Sequence, residues 1–226
     1  MTLAIVIPFK SLSEGKSRLA TVLEPALRAR LCRYMLERTV ALAAGLGPIT
    51  VVSDDPRVAA LLADGRHEAR LLLARPARDL NLALHQARGE ITPGVPMLVL
   101  PTDLVLLERA TLDDFLRQPD RLCIAPDRDR LGTNLLYLPS PAVAHFQFGF
   151  GPDSLLFHTL EAGRLGYQAS YFEAAQASLD LDTPADLIAA CRLGNVDIAA
   201  LLRAPVGVHD TPHLTSMYRT LITNNI

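Results

Sequence analysis

Short, unbroken apolar runs alternate along this chain with longer segments whose apolar residues recur every three or four positions. The opening run, Leu3 to Phe9 (LAIVIPF), lacks polar alternation, the pattern of a strand buried on both faces. From Pro25 to Leu46 the apolar positions fall at helical spacing, leaving Arg28, Arg30, Arg33, Glu37 and Arg38 for solvent, and Gly45 and Gly47 close the helix. ITVVSDD then reads as a second buried strand, Pro56 to Ala63 as a short helix, ARLLLAR as a third strand and LNLALHQARGE as a helix. PMLVLPTDL is a fourth strand, LDDFLRQ a helix and RLCIAPD a further strand. This rhythm predicts an α/β fold with a mainly parallel, Rossmann-like sheet flanked by helices.

The rhythm changes after Pro126. GTNLLYLPS, FQFGFGPDS, a helix from Leu155 to Ala162 and YQASYFEA predict a small inserted β-rich lobe closing over the strand ends. LDLDTPADLIAACRLG returns to the sheet and finishes in a helix, with Thr183 as N-cap and Pro184 in its first turn. One domain is therefore expected over residues 1–196, followed by an extension, 197–226, that packs on the domain or on a second copy in a homodimer. There is neither an internal repeat nor a low-complexity stretch.

Composition narrows the function. With 226 residues, half of them apolar and a fifth charged, the chain suits one sizeable soluble domain. A net charge of −2 gives no support for a general nucleic-acid binder, so any basic site must be local. The three cysteines, Cys32, Cys123 and Cys191, form no CxxC pair, which argues for a reducing compartment and against a disulfide frame or structural zinc. The opening run reads as a strand rather than a signal peptide, and no stretch is apolar for long enough to span a bilayer. A cytoplasmic protein without membrane partners is expected.

In such sheets ligands sit beyond the carboxyl ends of the strands. Three strands end there in polar groups: Lys10 to Arg18, then Asp54 and Asp55, then Asp103. Asp103 is either a ligand-facing carboxylate or a helix cap for the segment that follows. In LDLDTPADL, period two puts Asp180 and Asp182 on one face and Leu179 and Leu181 on the other. With Asp103 they would form a self-repelling carboxylate cluster, stable around a hard divalent ion such as Mg²⁺ or Mn²⁺. Lys16 and Arg18, flanking Ser17, are either a solvated surface or a grip for polyphosphate oxygens, Lys as a point charge and Arg as a fork. The loop is not a Gly-rich P-loop, since no upstream glycine precedes a GKS/T motif. Gly132-Thr133-Asn134 and Gly151-Pro152-Asp153-Ser154 are turns rich in hydrogen-bond donors. Ser154 opens a helix, as an ordinary cap or as part of an anion site, and His158 lies one turn on, structural or in touch with a substrate anion.

Taken in order, IPFKSLSEGKSRLA, the Asn81 segment DLNLAL, LPTDL, GTNLL, FGFGPDS with His158, and LDLDTPADL resemble the guanylyltransferases of coenzyme F-420 biosynthesis, which act on 2-phospho-L-lactate or phosphoenolpyruvate. The resemblance runs from Leu3 to Gly194. It implies a nucleotide-diphospho-sugar transferase (GT-A-like) fold, similar to the enzymes that guanylate molybdopterin. It implies Asp103 and Asp180 as Mg²⁺ ligands, with Asp182 opening the following turn, and Lys16 and Arg18 as catalytic cations. GTP, the nucleotide substrate, would lie along Pro8, Lys10, Lys16 and Arg18, with Asn81 near guanine. A small phosphorylated carboxylic acid would rest on Thr133, Asn134 and Leu135 and on Gly151, Ser154 and His158. One departure is local: the family reads Asp-Leu-Pro after the fourth strand, and here Leu104 is followed by Val105.

The implied reaction is in-line attack of an acceptor phosphate on the α-phosphorus of GTP, with pyrophosphate leaving. Alternatives are transfer to molybdopterin or a sugar phosphate, and a non-catalytic nucleotide-binding regulator. Retention of Lys16, Arg18, Asp103 and Asp180 weighs against the regulator, and the small GTN turn against a larger acceptor. A glycosyltransferase would want a D-x-D motif after the fourth strand, which is missing. Phosphoenolpyruvate, 2-phospho-L-lactate and 3-phosphoglycerate all satisfy the same reading.

Overall fold

The computed structural model describes residues 2–13, 15–63, 68–74, 79–117, 120–193 and 196–203. Seven strands form one sheet in the order β3-β2-β1-β4-β6-β5-β7. They are β1 (Ala4–Pro8), β2 (Ile49–Ser53), β3 (Arg70–Leu73), β4 (Met97–Val99), β5 (Cys123–Pro126), β6 (Thr133–Leu138) and β7 (Ser170–Tyr171). β6 is antiparallel to β4 and β5, and every other pairing is parallel. The mainly parallel α/β sheet is as the apolar runs predict.

Both faces of the sheet are covered, which is why its strands read as continuous apolar runs. On one face Ile5 and Ile7 pack with Leu31, Met35 and Leu36 of α1 (Pro25–Ala43), and with Leu112, Leu187 and Ala190. The last three belong to α4 (Arg109–Phe115) and α8 (Pro184–Arg192). On the other face Val6, Met97 and Val99 pack with Leu84 and Ala87 of α3 (Leu80–Gly89) and with Leu155 and Ala162 of α6 (Ser154–Arg164). Single strand residues pointing in opposite directions thus hold helices on both sides, for roughly 1.5–3 kcal/mol per buried large side chain. α1 begins with Pro25, whose missing N–H costs nothing at a first turn. Beyond its end Gly45 takes φ +79°, the left-handed conformation glycine adopts without a Cβ penalty. Helices α2 (Val58–Ala63), α5 (Ser140–Val143) and α7 (Ala175–Ser178) are short connectors.

Two expectations change. The segment after Gly132 does not form an inserted lobe: β6 enters the middle of the main sheet, between β4 and β5. The reason is visible in its residues, since all six positions of TNLLYL are buried, as a central strand requires. LDLDTPADL is not a regular strand. It runs extended beside the end of β4, joined there by the Leu181 N–H donating to the Asp103 carbonyl at 3.1 Å. The alternation holds nevertheless, with Leu179 and Leu181 in the core and Asp180 and Asp182 partly exposed. α8 starts as expected on Thr183, whose hydroxyl accepts from the Asp186 N–H while Asp186 accepts from the Thr183 N–H, a capping box. In α9 (Val196–Arg203), Ile198 and Leu202 join the core that α1 and α8 share. The rest of the segment expected as an extension, 204–226, lies outside the described residues. No helix among the described residues is long and apolar enough to cross a membrane.

Candidate active site

An open cleft of about 640 Å³ lies at the carboxyl ends of β1, β2 and β4. β2 and β3 extend the sheet to one side of β1 and β4 lies on the other. That crevice, where the strand order reverses, is the place such sheets leave for a ligand.

One wall is the loop after β1. The Ser53 hydroxyl donates to the Lys10 carbonyl at 3.1 Å, and Asp55 accepts from the Leu12 N–H at 3.2 Å. Arg57 donates to both oxygens of Asp55 at 2.8 Å and to the Ser13 hydroxyl at 2.9 Å. The Arg57 guanidinium and these backbone donors hold the Asp55 carboxyl below its ordinary range despite burial. Gly15 presses on α1, where an added Cβ would come within 2.7 Å of Cys32 Sγ and 2.8 Å of the Ser11 carbonyl. Lys16 then takes φ 53°, ψ 44°, a left-handed conformation costing about 1–2 kcal/mol in a non-glycine residue.

That turn aims Lys16 inward. Its Nζ lies 2.8 Å from Asp103 Oδ2 and 2.5 Å from Asp182 Oδ1. Burial works against the ammonium, but the two carboxylates outweigh it and raise its pKa, so Lys16 stays charged. Arg18 follows in a one-turn 3₁₀ helix, 73% exposed and 3.7 Å from Asp182. Within Ile7 to Ala20 the only acidic residue is Glu14, which lies outside the described residues. The acids met by this loop come instead from three distant segments, at Asp55, Asp103 and Asp182.

Asp103 is not a helix cap. Helix α4 starts six residues on, with Glu108 at its cap, and the Asp103 side chain faces the cleft. The Val105 N–H donates to the Asp103 carbonyl at 2.9 Å and closes a tight turn there. Asp180 lines the same cleft, its pKa pushed up to about 6 by burial and by the Asp103 charge.

The opposite wall, edged by Asp127, presents neutral hydroxyls hydrogen-bonded from behind. Ser154 Oγ accepts from the Thr133 N–H at 2.9 Å. Thr133 Oγ1 lies 2.9 Å from His158 Nδ1, and His158 Nε2 accepts from the Gly149 N–H at 3.1 Å. An accepting Nε2 puts the ring proton on Nδ1, so the imidazole donates to Thr133. Each wall hydroxyl therefore receives a hydrogen bond internally and keeps its own O–H as a donor, on a residue that lines the cleft. His158 is completely buried and its pKa is lowered by that burial to about 4, Glu161 acting the other way, so it is neutral. Gly132 closes the turn because Asp127 stands over it, with Asp127 Oδ2 2.7 Å from where a Cβ would be.

Of the residues singled out from sequence, Pro8, Lys10, Lys16, Arg18, Asp103, Thr133, Asn134, Gly151, Ser154 and Asp180 all line this cleft. Three do not. Leu135 is fully buried in the core, and His158 stands behind Thr133. Asn81 spends its amide on the backbone of Phe150, donating to its carbonyl at 3.0 Å and accepting from its N–H at 2.8 Å. The Asn134 amide is also occupied, donating to the Ala177 carbonyl at 2.9 Å. Sequence reasoning missed the loop clamp of Ser53, Asp55 and Arg57, and the pairing of Asp182 with Lys16. A carboxylate followed by proline and arginine (Asp55-Pro56-Arg57) at a strand end was the available signal for the clamp.

Val52, Ala74, Ala83, Leu84 and Val99 supply an apolar floor to the cleft between the two walls. Among the described residues no three His, Cys, Asp or Glu side chains make a ready metal cage. Asp103 and Asp180 are nevertheless hard-oxygen donors whose mutual repulsion a divalent cation would relieve.

A family model described as guanylyl transferase CofC like matches residues 3–220, reaching beyond the Gly194 limit of the quoted motifs. A phosphoenolpyruvate guanylyltransferase of Rubrobacter xylanophilus is 38% identical over 198 residues, covering 83% of this chain and 92% of that one. Its namesake in Chloroflexus aggregans is 36% identical over 192 residues, covering 80% and 92%. In fold, the chain is similar to a nucleotidyl transferase from Methanothermobacter thermautotroptrophicus (TM-score 0.60, 15% identity, 89% of this chain and 98% of that one). It is also similar to a Desulfovibrio desulfuricans G20 protein provisionally classed as a nucleotide-diphospho-sugar transferase (TM-score 0.71, 17% identity, 99% and 98%).

Proposed function

The chain belongs to the CofC-like guanylyl transferase family, and from that membership we propose that it joins GMP from GTP to a small phosphorylated acid. Phosphoenolpyruvate is the first candidate acceptor, with 2-phospho-L-lactate and 3-phosphoglycerate sharing its chemistry, and the product would serve coenzyme F-420 biosynthesis. The observation that carries the reading is the pairing of walls across one cleft: cations and strand-end carboxylates on one side, neutral hydroxyl donors on the other.

The triphosphate would lie against Lys16 and Arg18, the base along the apolar floor. Lys16, held protonated, turns from Asp182 to phosphate oxygens as the nucleotide enters. The acid's anions would take the O–H groups of Thr133 and Ser154 and the backbone at Gly151. An acceptor phosphate oxygen then forms a bond to the α-phosphorus while the bond to the β-phosphate bridge breaks, and pyrophosphate leaves. The nucleophile is already anionic, so no general base is needed. Alignment and charge neutralisation carry the rate. Asp103 and Asp180 would hold Mg²⁺ or Mn²⁺, which would supply charge neutralisation.

The test is incubation of the protein with GTP and each acid in turn, following pyrophosphate release and the product mass. An acid-dependent product carrying GMP is expected. GTP left intact, or cleaved without any acid-dependent product, overturns the proposal.

A further inference from the structure

The Asn81 clasp joins two parts of the cleft that belong to different substrates. On the proposed reading α3 flanks the nucleotide, since Leu80, Ala83 and Leu84 line the cleft beside the floor. The segment 147–151 belongs to the other wall, and no regular backbone ladder holds it. Side chains hold it instead. Glu161 accepts from the Gln147 N–H at 2.7 Å, His158 from the Gly149 N–H at 3.1 Å, and Asn81 takes both polar groups of Phe150. The Phe150 ring lies edge-on to His158 with centroids 4.7 Å apart. Gly149 passes so close to Phe157 that an added Cβ would sit 2.2 Å from its ring. The next residue, Gly151, is part of the acceptor wall.

The edge of the Asn81 amide that meets Phe150 is committed, donating to one carbonyl and accepting from one N–H, and Asn81 is not among the residues that line the cleft. Turning that donor–acceptor edge into the cleft to read guanine would strand the two Phe150 backbone groups next to Gly151. We infer that Asn81 is a positioning residue for the acceptor pocket: from α3 it fixes Phe150, and through it Gly151, and it does not contact the base. The inference rests on the proposed function for the identity of the acceptor.

The measurement is steady-state kinetics of the whole chain, varying GTP and the acid separately, for wild type, Asn81→Ala and Asn81→Asp. Asp keeps the acceptor for the Phe150 N–H but sets an oxygen against the Phe150 carbonyl. Both variants are expected to raise the KM for the acid by about tenfold to a hundredfold, the scale of a displaced positioning element. The KM for GTP and the preference for GTP over ATP should stay within about twofold. Phe150→Ala keeps the clasped backbone groups and should leave the acid KM closer to wild type than either Asn81 variant does. A changed GTP KM or a lost base preference with an unaltered acid KM overturns the inference, as does no change in any parameter. Should Asn81→Ala fail to fold, Asn81→Asp with its melting temperature decides by the same split. An inactive wild type would count against the proposed function instead, and in that case binding of GTP alone decides for Asn81: equal affinity in wild type and Asn81→Asp upholds the inference, and weakened GTP binding overturns it.

Discussion

On the proposed reading the two walls of the cleft serve the same end, a place for anions, by opposite physical routes. The loop after β1 uses full charges, Lys16 and Arg18, kept from repelling one another by Asp103 and Asp182. The β6–α6 wall presents no cation, and its carboxylates, Asp127 and Glu161, brace the backbone. It buries a neutral histidine and two hydroxyls and orients each by a hydrogen bond from behind. Charged groups exchange partners readily, which suits a wall where phosphate charge shifts during reaction. Neutral groups fixed from behind cannot reorganise cheaply, which suits a wall that holds a nucleophile still.

The sharpest break lies at the carboxylates. Asp103→Asn and Asp180→Asn should each lower kcat by about 10³-fold or more while the melting temperature changes little, and excess chelator should abolish wild-type turnover. Turnover at wild-type rates in chelator would remove the metal from the proposal. Next comes the basic loop: Lys16→Ala should cost about 10²–10³-fold in kcat, the scale for one preorganised charge-stabilising group. Arg18→Ala should cost less, about tenfold, because Arg18 is exposed and loosely paired. Arg117→Ala, which removes a 75% exposed charge paired only with Asp114 among the described residues, controls for general charge effects and should leave kcat unaltered.

The neutral wall should break differently. His158→Ala removes the buried ring that serves both Thr133 and Gly149 and should destabilise the fold by about 2–4 kcal/mol, read from denaturant midpoints. The same ring also gives stability a pH dependence. The native state holds His158 neutral, with its pKa lowered from 6.5 to about 4. The unfolded chain binds that proton first, so this stability is complete above about pH 6.5 and drains away as the pH falls toward 4. The loss approaches roughly 3 kcal/mol. His158→Gln should flatten that slope in melts between pH 7 and pH 4, and an unchanged slope would place the titration elsewhere.

The two walls also differed in how readable they were. On the charged side, apolar runs ended in Lys10 to Arg18, Asp54, Asp55 and Asp103, and a parallel sheet necessarily gathers such ends at one edge. Position in the sheet therefore followed from periodicity. The partners did not, because Lys16 meets Asp103 and Asp182 across 87 and 166 residues of sequence. On the neutral side, Thr133 and Ser154 could be picked out as donors, but β6 was expected in a lobe. Its apolar run Leu135–Leu138 fits any buried strand, and nothing local specifies that it enters antiparallel between β4 and β5. Asn81 and His158 were legible as polar residues near a site and illegible as to direction. Whether an amide faces a ligand or a backbone is decided by tertiary packing alone.

The contrast between the walls is tested most directly by one kinetic comparison, Lys16→Ala against Ser154→Ala, with GTP and the acid each varied to saturation. Lys16→Ala should lower kcat and leave the KM for the acid near wild type. Ser154→Ala should raise the KM for the acid about tenfold, the value of one hydrogen bond to a charged group, and leave kcat at saturation nearly intact. Loss of the same parameter in both variants would contradict the division of labour between a charged wall for the reaction and a neutral wall for the acceptor.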